Sequence, residues 1–362
     1  MEIRRCNGKR MRTISKLTFA SAGQQSARWL ASHSSDAKLG VLCHSDADGI
    51  AAGAILHRAL QRSRREVATI VTQKFENAWS ESVRDRVQAS APGALIVCDL
   101  GVRARAVLDA LPTRFIDHHH FSDAPLNGMV ITGFQVEPCP TSGLIAFWCA
   151  NAIADVSDLE WIAAISLVSD VGDRAPFAEL TSAKSAHGLS ALREATTLLN
   201  AARRSSRGDA EPALRLLSRA ISPREISRSD SPDAMVLRQA QQEVNGAFTE
   251  AKRAAPKFSG RIAVVRIHTA CQVHPLVAQI WRTRLPKYIV FCANTGYRDG
   301  FVHFSGRCGK ETDLIAFLRD HAPVDAGDNY GCGHPQAAGG SLPVGVWNGW
   351  TAALGFGGEV TA

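Results

Sequence analysis

The stretch that decides the fold reads LGVLCHSDADG, from Leu39 to Gly49. Its first part, Leu39 to Cys43, is an apolar run typical of a buried strand. The Ala- and Leu-rich segment from Gly49 to Gln61 then has the pattern of a helix. In α/β sheets, ligands bind beyond the carboxyl ends of the strands. The sequence therefore predicts a binding site that begins at His44.

Three side chains in this stretch suit a divalent cation. We interpret His44, Asp46 and Asp48 as ligands, because carboxylates two residues apart in an extended segment point the same way. Two neighbouring carboxylates repel each other unless a cation lies with them. Carboxylate oxygens beside an imidazole favour Mn²⁺, Fe²⁺ or Co²⁺ over Mg²⁺. The competing interpretation is an Asp-rich turn in which one carboxylate caps the helix.

Further apolar runs predict a larger α/β domain. The predicted strands are Leu95 to Cys98, Arg114 to Ile116 and Met129 to Thr132, and the predicted helices are Ser142 to Ala154 and Leu159 to Val168. Strands that alternate with helices favour a mostly parallel sheet with flanking helices.

Polar residues also follow these later elements. Asp99 ends one strand, and the run Asp117-His118-His119-His120 ends the next. An Asp beside a ligating His commonly orients the imidazole, although a surface His run is the alternative. Asp170 and Asp173 compete for a later ligand position. We prefer Asp170 because it ends the apolar pattern of its helix.

The rest of the chain divides into a connector and a second α/β pattern. Residues 181–255 are rich in Ala, Arg and Ser, with helical patterns. The second pattern has strands at Arg261 to Ile267, Lys287 to Phe291, Phe301 to Phe304 and Ser341 to Val344, helices at Pro275 to Arg284 and Asp313 to His321, and a Gly-rich run at Gly331 to Gly340. We therefore predict four segments: a basic tail and helix (1–36), a catalytic domain (37–182), a helical connector (183–255) and a smaller C-terminal α/β domain (256–362).

Composition narrows the class of protein. The 362 residues are 45% hydrophobic, and no apolar stretch approaches the ~20 residues that cross a bilayer. With no secretion signal and nine Cys without a CxxC pair, we expect a cytoplasmic protein with reduced thiols that does not bind membranes. The net charge of +7 is concentrated in Met1 to Lys16 and Arg203 to Arg228. Such basic segments are either solvated surfaces or contacts to a phosphate backbone.

Taken together, the N-terminal motifs resemble those of the DHH phosphoesterase superfamily. That family has an HxDxDG-like strand end, a lone Asp, the DHH triplet and a later Asp, and this chain has all four in order. The C-terminal part is similar to the DHH-associated domain, with Ser305-Gly306-Arg307 followed by the glycine-rich stretch Gly331 to Gly339. The likeness covers roughly residues 39–344. Cys332 departs from the pattern, because it replaces the middle glycine of the usual triplet.

The resemblance implies two divalent ions, most often Mn²⁺, with Mg²⁺ or Co²⁺ as alternatives. The implied metal ligands are His44, Asp46, Asp48, Asp99, His118 and Asp170. Asp99 would bridge the ions, His119 would face the substrate phosphate, and Asp117 would steady the histidines. The implied substrate-binding residues are Arg307, Gly331, Gly333 and His334, in a cleft between the two domains.

The glycine-rich His stretch argues against a pyrophosphatase and favours RecJ-like exonucleases and nanoRNases. We therefore expect a metal-dependent phosphodiesterase that hydrolyses short single-stranded oligonucleotides. The alternatives are an enzyme for adenosine bisphosphate or cyclic dinucleotides, and a non-catalytic nucleic-acid-binding relative. The sequence leaves RNA or DNA preference, polarity of attack and a homodimer open.

Overall fold

The computed structural model describes residues 17–360, except residues 122 and 328, together with the backbone of residues 5–6 and 9–10. Strands β1 (Arg5–Cys6) and β2 (Lys9–Arg10) pair antiparallel. The rest of the predicted basic tail, within residues 1–16, lies outside the described residues. The chain forms two compact units: one runs up to Leu199 and includes Ala213–Ser229, and the other comprises Asn200–Pro212 and Asp230–Ala362.

A five-stranded parallel sheet forms the centre of the first unit. Its strands are β3 (Leu39–Cys43), β4 (Val67–Val71), β5 (Ala94–Cys98), β6 (Thr113–Asp117) and β7 (Gly128–Thr132). Their order is β4-β3-β5-β6-β7. Strands β3 and β5 are buried throughout, as their continuous apolar sequences require. Because all five strands are parallel, their carboxyl ends meet at one edge of the sheet.

Helices cover both faces of this sheet. They are α1 (Phe19–Ala31), α2 (Ala47–Arg62), α3 (Glu81–Ala89), α4 (Ser142–Ala150), α5 (Glu160–Asp170) and α6 (Ala178–His187). Val83 of α3 packs with Leu42 of β3 on one face. Gly53 of α2 lies against Cys43, whose side chain points to the other face. Helix α2 also packs against α4 and α5.

The predicted connector is helical, and the two units divide it between them. Its further helices are α7 (Leu189–Arg204), α8 (Glu211–Arg219), α9 (Pro223–Arg228) and α10 (Pro232–Ala251). Residues 213–229 belong to the first unit, and α10 belongs to the second. No helix within the described part of the chain has the length and apolar character needed to cross a bilayer.

The second unit contains a six-stranded mixed sheet. Its strands are β8 (Pro256–Ser259), β9 (Ile262–Ile267), β10 (Ile289–Arg298), β11 (Phe301–Arg307), β12 (Tyr330–His334) and β13 (Ala337–Pro343), in the order β12-β13-β11-β10-β9-β8. Its later helices are α11 (His274–Arg284), α12 (Leu314–Asp320) and α13 (Val344–Ala353). Strands β9 and β10 are parallel, and the other neighbouring pairs are antiparallel. Phe291, Phe304, Trp347 and Trp350 form an aromatic core on one side.

The predicted α/β class and the parallel first sheet are confirmed. The bounds predicted for the last strand, Ser341 to Val344, are wrong, because the glycine-rich run before it already forms the β12–β13 hairpin. Its strands carry glycines where neighbouring backbone comes close: a Cβ on Gly333 would lie 2.3 Å from the carbonyl oxygen of Ala337. Its glycine-rich composition gave no strand signal.

Candidate metal centre

The candidate site lies at the carboxyl edge of the parallel sheet. His44 directly follows β3, Asp99 follows β5, and His118 follows β6. These three strands are neighbours in the sheet, so residues far apart in sequence come together. Asp99 has a φ of 62°. This left-handed conformation is uncommon outside glycine, and Asp tolerates it better than most residues.

The first group of potential ligands surrounds one oxygen of Asp99. His44 Nδ1 lies 3.0 Å from Asp46 Oδ2 and 3.4 Å from Asp99 Oδ2. Asp46 is also the N-cap of α2, and its Oδ1 accepts a hydrogen bond of 3.0 Å from the Gly49 backbone N–H. The metal-ligand and helix-cap interpretations are therefore compatible, since each uses a different carboxylate oxygen.

The second group surrounds His118. Its Nε2 lies 3.4 Å from Asp99 Oδ1, 3.6 Å from Asp48 Oδ2 and 3.7 Å from Asp170 Oδ2. The two oxygens of Asp99 thus face different groups. The expectation that Asp46 and Asp48 extend side by side is wrong, because Asp48 lies in the first turn of α2. The cap at Asp46 starts the helix earlier than predicted.

Helix α4 holds the second group in place, which the sequence did not indicate. The backbone N–H groups of Ser142 and Gly143 donate to Asp48, at 3.1 and 2.6 Å. Ser142 Oγ donates to Asp99 Oδ1 at 2.9 Å. Helix N-termini favour carboxylates because their first amides have no partner within the helix. A serine that opens an apolar helix was the available signal, but its target could not be read from sequence.

Asp117 and His119 form a hydrogen-bonded pair beside these groups. Asp117 Oδ1 accepts from the His119 backbone N–H at 2.7 Å and lies 3.1 Å from His119 Nδ1. Its Oδ2 accepts from the Gly101 N–H at 2.8 Å. The carboxylate therefore fixes the imidazole ring. His120 differs, because its ring packs edge-on against Phe134 at 4.9 Å.

The structure separates the two candidates for the last ligand. Asp170 ends α5 within reach of His118, whereas Asp173 forms an ion pair with Arg193. The backbone carbonyl of Asp173 also accepts from Lys184. Asp170 therefore lies in the cluster, and Asp173 has a structural partner of its own.

Electrostatics favour a cation in this cluster. Burial, followed by the charges of Asp99 and Asp170, raises the pKa of Asp48 well above its usual value. Burial and neighbouring carboxylates raise the pKa of Asp170 to about 6. Burial alone would also raise the pKa of Asp99, but the imidazoles of His118 and His44, each 3.4 Å away, hold it well below its usual value. Bound cations would allow all these carboxylates to ionise together.

The donor set fits divalent metal ions. In the group His44, Asp46 and Asp99, all ligand atoms lie within 4.8 Å of one another, and the same holds for Asp48, His118 and Asp170. Mn²⁺ and Mg²⁺ bind oxygen at about 2.0–2.2 Å, so ligands on opposite sides of one ion are about 4–4.5 Å apart. Mixed carboxylate and imidazole ligands suit Mn²⁺, Co²⁺ or Fe²⁺.

The predicted substrate-binding residues lie together in the second unit. Arg307 of β11 and His334 of β12 both pair with Ala337 of β13. Directly paired residues project to the same face, so the two side chains stand on either side of Ala337. Arg307 Nη1 donates to Ser305 Oγ at 2.7 Å and to the Gly306 carbonyl at 2.8 Å.

Two glycines of β12, close to His334, have unusual backbone conformations. Gly331 and Gly333 have φ values of 73° and 132°, which side-chain-bearing residues rarely adopt. The register of β12 shifts between Tyr330 and Cys332. The exposed thiol of Cys332 belongs to this irregular segment.

The fold is shared with solved structures of RecJ exonucleases and of a DHH domain. No family model matches the sequence, and no curated protein does. Among solved structures, the chain resembles RecJ of Thermus thermophilus in complex with Mn²⁺, with a TM-score of 0.65 and 19% identity. That match covers 93% of this chain and 54% of the RecJ chain, so this chain spans about half of that protein.

Two further structures share the fold. An exonuclease RecJ bound to manganese matches with a TM-score of 0.64 and 19% identity, over 95% of each chain. An exopolyphosphatase-related protein from Bacteroides fragilis matches with a TM-score of 0.53 and 14% identity, over 92% of this chain and 96% of that one. At these identities the likeness defines the fold alone.

Proposed function

We propose that the protein is a divalent-metal-dependent phosphodiesterase that hydrolyses short single-stranded oligonucleotides. The observation that carries this proposal is the placement of Asp99, whose two oxygens face His44 at 3.4 Å and His118 at 3.4 Å. A carboxylate shared between two imidazole-containing groups suits a pair of ions. The RecJ structures with the same fold were solved with Mn²⁺ or Mg²⁺.

The cluster would act through charge and position. When bound, two divalent ions would activate a water as nucleophile and neutralise charge on the phosphoryl group. Asp117 orients the His119 ring through its Nδ1, at 3.1 Å, and the ring, when protonated, would donate to a phosphate oxygen from Nε2. Ser142 and Gly143 fix Asp48 and Asp99, so the ligand oxygens need little rearrangement on binding.

In the second unit, Arg307, Ala337 and His334 form a row across the sheet, and this phosphate-binding row would hold the substrate. Arg307 is anchored by Ser305 through one nitrogen, which leaves its other donors for a phosphate group. His334 lies two strands away, and the usual strand spacing puts the two backbones about 9.5 Å apart. The small Ala337 between them leaves room for a phosphate or sugar. An enzyme that recognises several phosphates of one substrate needs such a row.

A panel of substrates tests this proposal. Hydrolysis with Mn²⁺ would be measured on a dinucleotide, a single-stranded 20-mer, adenosine bisphosphate and a cyclic dinucleotide. We expect the linear oligonucleotides to be cleaved fastest, and Asp48→Asn to abolish the activity. Preferential cleavage of either small nucleotide would replace the proposed substrate with that one. Mn²⁺-supported binding of oligonucleotide without cleavage of any substrate would favour a non-catalytic role.

A further inference from the structure

Thr141 and Ser166 form a hydroxyl pair in the interior of the first unit. Thr141 Oγ1 lies 2.7 Å from Ser166 Oγ, and both residues are fully buried. Ser166 Oγ donates to the Ala163 carbonyl at 2.7 Å. A hydroxyl carries a single proton, so Thr141 is the donor within the pair. As the N-cap of α4, Thr141 Oγ1 also accepts from the Leu144 backbone N–H at 3.4 Å, so both hydroxyls are fully hydrogen-bonded.

The pair connects the two helices that serve the second group of potential ligands. Thr141 opens α4, whose first two amides hold Asp48. Ser166 lies one turn before Asp170, so the two side chains share a face of α5. The helices approach closely here, since a Cβ on Gly143 would lie 2.7 Å from Ser166 Oγ. The hydroxyl pair therefore joins the support of Asp48 to the helix that carries Asp170.

Packing alone does not account for Ser166. It lies within a run of buried, mostly apolar residues from Trp161 to Leu167. A serine that bonds back to its own helix slightly destabilises that helix. Alanine would fit the same position and is the better helix former. The hydroxyl of Ser166 is therefore explained best by what it holds, which is Thr141.

The carboxylates on either side of this pair repel each other. Burial raises the pKa of Asp48, and the charges of Asp99 and Asp170 raise it further. Asp48 and Asp170 both face His118 Nε2, at 3.6 and 3.7 Å. Repulsion between like charges favours a wider spacing of the two side chains. A fully satisfied buried hydrogen-bond chain is rigid, so it opposes that separation.

We propose that the Thr141–Ser166 pair is a brace that holds Asp170 at the distance from Asp48 that one divalent ion requires. This inference rests on the proposed function and gives both hydroxyls a positioning role in the second group. Ligands that are already in place bind more tightly, because less order has to be imposed on binding. The first group contains no residue of α5, so we expect its affinity to be independent of the brace.

Calorimetric titration with Mn²⁺ tests the brace without relying on hydrolysis. We expect Ser166→Ala to weaken Mn²⁺ binding about 10-fold, in the range typical for loss of a residue that orients a ligand. Thr141→Val removes the other hydroxyl and the helix cap, and should weaken binding at least as much. Thr141→Ser keeps both the pair and the cap, so it should retain the affinity of the wild type.

Two double variants show whether the brace acts through Asp170. Added to Asp170→Asn, Ser166→Ala should have little further effect on Mn²⁺ affinity, because the side chain that it positions has already lost its charge. Added to Asp46→Asn, which keeps a good capping residue in the first group, Ser166→Ala should have its full effect. Equal effects in the two backgrounds, or none in the single variant, would overturn the brace.

Ser205→Ala separates metal binding from folding. Ser205 of the second unit is also buried, and its Oγ also donates to the carbonyl three residues earlier, at 2.8 Å. Melting temperatures of both variants report any loss of folding stability. We expect only Ser166→Ala to weaken Mn²⁺ binding. An equal loss of affinity in Ser205→Ala would refute a specific role of the pair.

Titration and kinetics together distinguish failure of this inference from failure of the proposed function. If the wild type binds Mn²⁺ but hydrolyses no oligonucleotide, the proposed activity fails, and the titrations of the variants decide the brace alone. If the wild type binds no Mn²⁺, both the brace and the proposed function are contradicted.

Discussion

Asp48 Oδ1 accepts a hydrogen bond of 2.6 Å from the backbone N–H of Gly143, a residue 95 positions further along the chain. Together with the Ser142 contacts, this bond makes the start of α4 a support for the candidate metal centre. A cluster of buried carboxylates needs such donors, because like charges repel strongly where water is excluded. The fold supplies them from a helix that contains no predicted ligand.

Gly143→Ala should disturb this support without a change of charge. A Cβ at Gly143 would lie 2.6 Å from the Cβ of Ser166 and 3.0 Å from Asp48 Oδ1. We expect weaker Mn²⁺ binding, by about 10- to 100-fold, the usual effect of losing a residue that orients a ligand. Calorimetric titration would measure it. Gly246→Ala, on an open face of α10, is the matched control, and equal Mn²⁺ affinity of both variants would contradict the assignment.

Asp170 and Asp173 should behave differently when neutralised. Asp170→Asn removes a charge that lies 3.7 Å from His118 Nε2, and we expect a loss of at least about 100-fold in Mn²⁺ affinity or in kcat. Asp173→Asn breaks only an ion pair with Arg193, and should lower the melting temperature slightly. Comparable metal affinity in Asp170→Asn and the wild type would show that Asp170 is not a metal ligand.

Arg307→Lys should reduce substrate affinity although the charge is kept. Lysine cannot make the paired hydrogen bonds that a guanidinium makes with phosphate. We expect KM for an oligonucleotide to rise about 10-fold, equivalent to ~1.4 kcal/mol. Arg298→Lys is the control, since Arg298 stacks on Phe301 at 4.3 Å. A similar KM in both variants would argue against the phosphate-binding row.

Arg114 should be replaceable with a gain in stability. It is 1% exposed, and its Nε and Nη1 have no hydrogen-bond partner within the described residues. Its contacts are the Trp29 ring at 5.2 Å and Met129 Sδ at 3.6 Å, and burial lowers its pKa to about 10. Arg114→Met keeps the volume and removes a desolvated charge, so we expect ~1–4 kcal/mol of stabilisation in urea unfolding.

Arg86→Met provides the comparison for this experiment. Arg86 has a carboxylate partner in Glu76, so its loss should destabilise the fold. If Arg114→Met also unfolds at lower urea concentration than the wild type, the buried guanidinium has a stabilising role that its visible contacts do not explain.

Much of the first unit could be predicted from sequence because its strands are buried on both faces. Continuous apolar runs give strong signals, and β3 was predicted with its observed bounds. Strand β4 was missed, since three of its five residues are only half-buried. Helix α3 was missed because its apolar face consists mainly of Val83 and Val87.

For the candidate site as well, one part could be predicted from the sequence and another part could not. Short polar motifs after strands identified the candidate ligands, since local chemistry was enough. How Asp46 and Asp48 separate into two groups depends on where α2 begins, and a helix cap decides that. The contacts from Ser142 and Gly143 arise from tertiary structure, and the sequence gives little indication of them.

We propose that Asp99 serves two metal ions in phosphodiester hydrolysis. Asp99→Asn tests it most directly, because asparagine keeps the shape, tolerates a φ of 62° and can still accept the Ser142 hydrogen bond. The measurement is kcat/KM on a single-stranded oligonucleotide with Mn²⁺, with the melting temperature recorded in parallel. We predict a fall of at least about 1,000-fold, or ~4 kcal/mol, in a folded protein. Activity within a few-fold of the wild type in a folded Asp99→Asn variant would contradict the account.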